Sequence, residues 1–215
     1  MSLKLVSICL LLGLHGSLWG GEFILSLSFF SALKTEKSKA IFKDYERFMN
    51  ETAPKPLHVK LDAVNFYINA FVGSYDEQTY QTEDFWATRV EFLSVGQGDC
   101  EDYVIAKYET LKDFGVDAKH MGLCIVKERS SPFHHMVLLL WKDAKNQPLV
   151  LDNLSFKVLP LDVRVDLSVE QCMNEEGYFK LDAKAKPQAF QSHYVIKAYE
   201  RVKQQTKREH LWQKP

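Results

Sequence analysis

The sequence predicts an α+β fold, and three observations support this prediction. Apolar residues recur at helical spacing in the first half of the chain, whereas short β-prone runs broken by turn residues fill the second half. No repeat, low-complexity segment or interdomain linker interrupts the chain. With 215 residues, 46% of them hydrophobic and 26% charged, the chain is long and apolar enough for one sizeable core.

Helical periodicity accounts for most of the first half. Apolar residues set among Lys and Glu predict a helix over residues 27–51, and two prolines end that region. A second helix is predicted over residues 60–71, and the aromatic-rich residues 72–95 are predicted to form a loop. The next helix begins near Cys100 and stops at Gly115.

Short β-prone runs predict the sheet. We predict strands at residues 120–127, 134–142 and 148–153, weaker strands at 163–167 and 178–181, and a final polar helix at 194–208. Between the second and third strands, the sequence Asp-Ala-Lys-Asn at residues 143–146 predicts a hairpin loop. Strands joined by a hairpin are antiparallel neighbours.

The N-terminus is typical of a secretory signal peptide, which we predict at residues 1–21. Lys4 is its only charged residue, and the ten residues after Lys4 are nearly all apolar. This stretch is too short for a comfortable transmembrane span. Leu18 and Trp19 crowd the cleavage site, so an uncleaved anchor is the alternative. We predict export, with residues 22–215 as a single domain.

The composition excludes some classes of function. A formal net charge of −1 gives no indication of a nucleic-acid partner or of a basic membrane-binding surface. The seven histidines are spread along the chain without the spacing of a zinc finger.

Export would place the cysteines in an oxidising compartment, where disulfides can form. Cys9 is lost with the signal peptide, which leaves Cys100, Cys124 and Cys172, an odd number. At least one thiol therefore stays free or pairs with a cysteine outside the chain. The simplest interpretation is that Cys100 is the free thiol. Because Cys124 lies in an apolar strand-like run, we expect it and Cys172 to be free and buried rather than bonded.

Cys100 lies in the most informative segment of the chain, residues 96–103, with the sequence Gly-Gln-Gly-Asp-Cys-Glu-Asp-Tyr. The glycines allow a sharp turn, and an apolar periodic run follows. In the first turn of a helix, free N–H groups and the helix dipole lower a thiol pKa and favour a thiolate nucleophile. The alternative is a buried cysteine at the start of an ordinary helix.

A thiolate nucleophile needs a base, and the base needs an orienting group. His135 opens one predicted strand and Asp152 closes its hairpin partner, so the two are expected to form a cross-strand pair at the sheet edge. His134 competes with His135. The two point to opposite faces of the strand, and alternation does not decide between them because both faces are apolar.

Three separated motifs carry a family resemblance. They are Gly98-Asp99-Cys100-Glu101-Asp102-Tyr103 with Lys107-Tyr108, then His135-Met136-Val137-Leu138, then Leu149-Val150-Leu151-Asp152-Asn153-Leu154. Further matches are Val64-Asn65, Ile68-Asn69, Phe85-Trp86-Ala87-Thr88, Glu91-Phe92-Leu93 and Arg164-Val165-Asp166-Leu167. In this order and spacing, over roughly residues 60–180, the chain resembles the bacterial transglutaminase-like cysteine proteinases.

The resemblance implies a papain/transglutaminase-like core, in which the nucleophile helix packs on an antiparallel sheet with N-terminal helices. It implies that Cys100 is the nucleophile, His135 the base and Asp152 the orienting group, which selects His135 over His134. It also implies a periplasmic endopeptidase that cuts the N-terminal region of a large surface adhesin near paired alanines and so controls biofilm attachment. The implied partner is an inner-membrane cyclic di-GMP receptor that sequesters the protease.

The chain departs from the family pattern at three positions. Arg89 stands where proline is frequent, Phe48 where tryptophan is common, and Cys172 in a region that is usually aromatic. None of the three belongs to the triad, but they bear on substrate recognition.

Carboxylates surround the proposed nucleophile. Asp99, Glu101 and Asp102 would disfavour a thiolate at Cys100 by charge repulsion, and a hard cation such as Ca²⁺ would offset them. The alternative is that they only stabilise the helix start. The resemblance implies calcium dependence, with Asp99 and Glu101 as ligands and Asp102 as a weaker candidate.

The sequence leaves alternatives for the second oxyanion donor and for the function. The backbone N–H of Cys100 is a natural oxyanion donor, and the second donor is Gln97 or Trp86. The same triad would also suit a transglutaminase, which transfers a glutamine acyl group to an amine. The other alternative is an exported, non-catalytic binding module.

Overall fold

The computed structural model describes residues 22–143, 145–189 and 196–213. The predicted signal peptide at residues 1–21 lies outside the described residues, and the prediction that residues 22–215 form one domain stays a prediction. Within the described ranges, none of the helices combines the length and apolar character needed to cross a bilayer.

Six of the seven α-helices in the described residues precede the large sheet in the chain, and the seventh follows it, as predicted. They are α1 (Leu27–Ala32), α2 (Glu36–Thr52), α3 (Leu57–Asn69), α4 (Asp76–Thr79), α5 (Arg89–Val95), α6 (Cys100–Asp113) and α7 (Lys197–Thr206). The single helix predicted over residues 27–51 is two helices. Thr35 separates them because its side chain accepts a hydrogen bond from the Ser38 backbone N–H and so caps α2.

The loop predicted at residues 72–95 contains the unforeseen helix α5. Thr88 caps it and forms a reciprocal capping box with Glu91, and Gly96 ends it in the left-handed region at φ 76°. The helix was not predicted because its seven residues make only about two turns, which is too short for a clear helical pattern of apolar residues.

Seven strands form one antiparallel sheet, which confirms the α+β prediction. The sheet strands are β3 (Met121–Glu128), β4 (His134–Leu140), β5 (Leu149–Asp152), β6 (Ser155–Pro160), β7 (Leu167–Asn174), β8 (Gly177–Leu181) and β9 (Pro187–Ala189), in the order β6-β5-β4-β3-β7-β8-β9. The strand predicted at residues 163–167 is wrong, because residues 163–166 lie in the turn before β7 and only Leu167 belongs to that strand. β6, the rest of β7 and β9 were missed.

A second, two-stranded sheet positions the start of α6. It pairs β1 (Val72–Gly73) with β2 (Gln97–Gly98) in parallel, and the Ser74 backbone N–H donates to Gly98 O at 2.8 Å. The chain after β1 is therefore held beside the chain after β2, where α6 begins.

The main core lies between the helices and one face of the large sheet. Met136 and Leu138 of β4 are buried in the same cluster as Val104 and Leu111 of α6. The intervening strand residues, such as Val137, belong to a smaller cluster on the other face. The nucleophile helix thus packs on the central strands of the antiparallel sheet.

Cys124 and Cys172 form a disulfide, so the expectation that both are free is wrong. Both are fully buried, as expected. They are bonded because β3 and β7 are antiparallel neighbours whose register sets Cys124 directly opposite Cys172, with Cα atoms 4.0 Å apart. Cys100 is the one free cysteine among the described residues.

We expect the disulfide to contribute substantially to stability. It closes a sequence separation of 48 residues. Its loss should lower the free energy of unfolding by about 2–4 kcal/mol, mainly by loosening the unfolded chain. Urea unfolding of the Cys124→Ala/Cys172→Ala variant should show this loss, and a reducing agent should destabilise Cys100→Ala but not the double variant. An equal urea midpoint for wild type and double variant would contradict the prediction.

Candidate active site

A cleft of about 810 Å³ contains the predicted nucleophile and both candidate histidines. Its lining includes Trp86, Cys100, Glu101, His134, His135 and Glu170. The cleft lies where the first turn of α6 meets the start of β4. Asp152 and Asp99 do not line it, but each contacts or adjoins a residue that does.

Cys100 is the first residue of α6, as predicted. The glycine before its N-cap is required, because a Cβ on Gly98 would lie 2.3 Å from Asp102 Oδ2. The Cys100 thiol donates a hydrogen bond to Glu101 Oε2 at 3.0 Å. The Met136 backbone N–H also bonds to the sulfur, which places the thiol against the strand residue after His135.

The expected low thiol pKa is not found. Burial raises the pKa of the Cys100 thiol well above its ordinary value, and the Glu101 and Asp99 carboxylates raise it further. The Met136 N–H acts in the opposite direction but is outweighed. Helix-terminus geometry alone therefore does not produce a thiolate here, since neighbouring negative charge opposes it.

His135 and Asp152 are in contact. His135 Nε2 lies 2.8 Å from Asp152 Oδ1, and both side chains are buried. In the β4–β5 pairing Leu138 faces Leu151, so Asp152 lies diagonally across from His135, within reach of a long side chain. The hairpin thus brings together the two residues that the sequence placed at the sheet edge.

His134 has a different environment from His135. Its side chain is 61% exposed, compared with 9% for His135. His134 Nε2 lies 3.0 Å from Glu170, which also pairs with Lys127 at 2.8 Å. Both histidines have a carboxylate partner, but only His135 is itself buried and pairs with a fully buried carboxylate, a distinction that strand alternation could not provide.

The Asp152 carboxylate is held from several sides. Its Oδ1 also accepts the Leu154 backbone N–H at 2.9 Å, and Arg164 Nη2 lies 2.8 Å from Oδ2. Asn69 Nδ2 donates to the Asp152 backbone carbonyl at 2.8 Å. Burial raises the pKa of Asp152, but the hydrogen bond from His135 and its other polar contacts outweigh burial and lower the pKa to about 2.

Lys107 is a buried cation near the same carboxylate. Its side chain is fully buried, and its Nζ has no hydrogen-bond partner among the described residues. Burial lowers the pKa of Lys107 to about 7, although the charge of Asp152 acts to raise it. Lys107 and Arg164 both lie in motifs that carry the family resemblance, but no role could be assigned to either residue from the sequence.

A cluster of acidic side chains lies beside Cys100. One oxygen from each of Asp76, Asp99 and Asp102 lies within 4.8 Å of the others, and Asp76 forms a second such group with Asp84 and Glu101. The predicted candidates Asp99, Glu101 and Asp102 are thus distributed over two groups that share Asp76. Asp76 and Asp84 were missed because they lie far upstream, in the segment that β1–β2 pairing brings to the start of α6.

The cluster is arranged to present free oxygens. Asp76 Oδ2 accepts the Phe85 N–H at 2.5 Å and Asp102 Oδ1 accepts the Ala87 N–H at 2.7 Å. The other oxygen of each, together with Asp99 Oδ1, is buried without a hydrogen-bond partner among the described residues. Buried orphan carboxylate oxygens anchored in a loop are ligands that Ca²⁺ accepts.

Burial and mutual repulsion disfavour the charged form of this cluster. Burial is the main cause in each case, and the charge of Glu101 adds to it. Together they raise the pKa of Asp99 to about 9, of Asp102 to about 8 and of Asp76 to about 6. A divalent cation would relieve this repulsion.

The cleft wall at Trp86 is fixed by the C-terminal helix. Arg201 of α7 donates to the Trp86 carbonyl at 2.6 Å and pairs with Glu91 at 2.8 Å. The next residue, Ala87, donates to Asp102. One short segment therefore connects α7, the cleft and the acidic cluster.

Gln97 points its amide away from this wall. Its Nε2 donates to Thr79 Oγ1 at 3.1 Å and to Ser74 Oγ at 3.4 Å. Of the two candidates for the second oxyanion donor, Trp86 lines the cleft, whereas Gln97 does not.

Comparison with known proteins matches the chain to a family model and to solved structures. The family model of the bacterial transglutaminase-like cysteine proteinases matches residues 34–165. Calcium-bound LapG of Legionella pneumophila has a similar structure, with a TM-score of 0.71, 27% identity, and coverage of 85% of this chain and 99% of LapG. Another LapG structure from L. pneumophila gives 0.70, 26%, 86% and 99%, respectively.

A third LapG structure, of the EGTA-treated protein, has a TM-score of 0.72 at 24% identity and supports the fold alone. It covers 86% of this chain and 99% of its own. No sequence among the curated proteins matches the chain significantly.

Proposed function

The chain belongs to the bacterial transglutaminase-like cysteine proteinases, and from this premise we propose that it is a calcium-dependent endopeptidase with a Cys100-His135-Asp152 triad. The observation that carries the proposal is the cleft in which Cys100 begins α6 beside a buried His135 that bonds to Asp152. Family membership supports the class of chemistry, and the contacts support the role that we propose for each residue.

The contacts favour one arrangement of protons. Asp152 is a carboxylate at neutral pH because its pKa is lowered, so it accepts a hydrogen bond and His135 Nε2 donates it. This leaves His135 Nδ1 to exchange a proton with Cys100. His135 is then held in the tautomer that a general base requires.

The reaction proceeds through an acyl-enzyme. The Cys100 thiolate attacks a backbone carbonyl, and the negative oxygen accepts hydrogen bonds from the Cys100 N–H and, we infer, from Trp86. His135 protonates the leaving amine as the C–N bond breaks and a thioester remains. His135 then takes a proton from water, and the resulting hydroxide releases the acid product and the thiol.

The acidic cluster fits a calcium ion. Asp76, Asp99 and Asp102 would hold it, since one oxygen of each converges and is buried without a partner among the described residues. Glu101 would add a ligand from the adjoining group that it forms with Asp76 and Asp84. When bound, the ion supplies positive charge beside the Cys100 sulfur, where the carboxylates otherwise disfavour the thiolate. The likeness to calcium-bound LapG supports this assignment.

We propose that the protein acts in the periplasm on the N-terminal region of a large surface adhesin, near paired alanines, and that its activity controls biofilm attachment. An inner-membrane cyclic di-GMP receptor would sequester it. The family resemblance and the similarity to LapG support these proposals. The open cleft, which is large enough for several residues of an extended chain, is consistent with a protein substrate.

One experiment separates hydrolysis from acyl transfer. The mature protein with calcium is incubated with a purified adhesin N-terminal fragment and, separately, with a glutamine peptide and a labelled primary amine. We expect two cleavage fragments and no amine incorporation, and an adhesin fragment with its paired alanines replaced by aspartates should stay intact. Amine incorporation without cleavage would indicate a transglutaminase, and neither reaction would indicate a binding module.

A further inference from the structure

Arg164 connects two carboxylates at the edge of the active site. It lies in the turn between β6 and β7, with its side chain 11% exposed. Its Nη2 is 2.8 Å from Asp152 Oδ2 and 2.7 Å from Asp166 Oδ2, and its Nε is 3.0 Å from Asp166 Oδ1. A guanidinium can hold both groups at once because its donors form a rigid planar fork.

The turn that carries Arg164 is itself well anchored. The Arg164 backbone N–H donates to Leu161 O at 3.1 Å, and Leu167 N–H donates to Arg164 O at 3.0 Å. The Asp166 carbonyl accepts the Arg129 N–H at 2.8 Å. The guanidinium is therefore fixed at both its backbone and its head group.

The two oxygens of Asp152 have separate tasks. Oδ1 accepts His135 Nε2 and the Leu154 N–H, whereas Oδ2 faces Arg164. The hydrogen bonds at Oδ1 oppose rotation of the carboxylate about its Cβ–Cγ bond, and the contact at Oδ2 adds a second restraint on the other side of that axis. The plane of the carboxylate sets the direction in which His135 is held.

We propose that Arg164, clamped by Asp166, is a positioning residue that fixes the Asp152 carboxylate and through it the imidazole of His135. This inference rests on the proposed triad. Arg164 does not line the cleft, so it acts through Asp152 and not on the substrate. It extends the chain of polar contacts by two residues, to Asp166-Arg164-Asp152-His135, in which an ion pair joins Arg164 to Asp152.

Neighbouring groups do not replace this contact. Lys107 lies near Asp152, but its Nζ forms neither an ion pair with that carboxylate nor a hydrogen bond to any described residue, whereas Arg164 Nη2 lies 2.8 Å from Oδ2. Asn69 bonds to the Asp152 backbone carbonyl and leaves the carboxylate untouched. The orienting contact at Oδ2 thus comes from Arg164.

The test compares Arg164→Gln, Arg164→Lys and Arg47→Gln. Arg47 is a matched control because it pairs with Asp44 on the exposed surface of α2. For Arg164→Gln we expect kcat to fall by about 100-fold with KM unchanged, since a small misplacement of a catalytic group has this effect. Arg164→Lys should recover only part of the loss because an ammonium lacks the fork, and Arg47→Gln should match wild type.

A double variant separates positioning from general destabilisation. If Arg164 acts through Asp152, Arg164→Gln should add little to the loss already caused by Asp152→Asn. Additive losses, or a full-activity Arg164→Gln, would overturn the inference. Melting temperatures of all variants show whether the folded state persists under assay conditions.

A spectroscopic readout keeps the inference independent of peptidase activity. The Nε2–H proton of His135 should give an imidazole NMR signal that His135→Gln removes, that Arg164→Gln broadens or shifts, and that Arg47→Gln preserves. This signal would respond to Arg164 even if no protein substrate were cleaved, in which case only the proposed function fails. If wild type cleaves its substrate and Arg164→Gln has the same kcat and the same His135 signal as wild type, the positioning role is wrong while the proposed function stands.

Discussion

Replacing Cys100 or His135 by alanine is expected to abolish cleavage, with kcat reduced by at least about 10⁴-fold. The first change removes the nucleophile, and the second removes the only group that we assign to proton transfer. Both side chains line the cleft, and Cys100 packs against the main core only as a partly buried residue, so we expect both variants to fold. Fragment analysis by mass spectrometry measures the rate, and circular dichroism measures the fold.

His134→Ala is the matched control for His135→Ala. The two histidines adjoin each other in β4 and both line the cleft, but His134 bonds to Glu170 rather than to Asp152. We expect His134→Ala to keep kcat within a few-fold of wild type. Full activity in His135→Ala together with loss in His134→Ala would show that the base is the other histidine.

Chelation of calcium is expected to suppress activity, and added calcium should restore it. The reason is that the Asp99 and Glu101 carboxylates disfavour the Cys100 thiolate when no cation offsets them. Binding to the folded form should also raise the melting temperature, because a free ion concentration 100 times Kd stabilises by about 2.7 kcal/mol. Thermal melts and cleavage assays in EGTA, with and without excess calcium, measure both effects.

Substitutions in the cluster should imitate chelation without removing the thiol. Asp99→Ala and Glu101→Ala should lose the calcium-dependent rise in melting temperature, while Asp62→Asn on the exposed surface of α3 should keep it. In EGTA, Asp99→Ala should be no less stable than wild type, because it removes a carboxyl group whose charged form is disfavoured first by burial and then by the neighbouring carboxylates. If chelation changes neither activity nor melting temperature, the carboxylates only stabilise a helix start.

The elements that depend on local sequence were largely predictable. The start of α6 at Cys100 followed from glycines before a periodic apolar run, and the β4–β5 hairpin followed from two short apolar β-prone runs on either side of turn residues. These two elements contain Cys100, His135 and Asp152, which is why candidates for a triad could be selected before the fold was known.

The features that depend on distant pairing were not predictable from patterns. The register that sets Cys124 opposite Cys172 pairs β3 with β7, two strands that β4, β5 and β6 separate in the chain. Asp76 reaches the acidic cluster through the two-residue pairing of β1 with β2, which is too short to leave a periodic signal. The high thiol pKa also depends on burial and on several charges at once.

The contacts made by the last forty or so residues limit how the gene can be trimmed for recombinant production. The family match ends at residue 165, but Cys172, Arg201 and Glu209 lie beyond it and bond to Cys124, Trp86 and Thr88, respectively. A fragment ending at residue 165 would carry Cys124 as a second unpaired thiol, able to form a wrong bridge with Cys100 in an oxidising host compartment. Recombinant versions of this protein should therefore include residues up to 213, well past residue 165, where the family match ends.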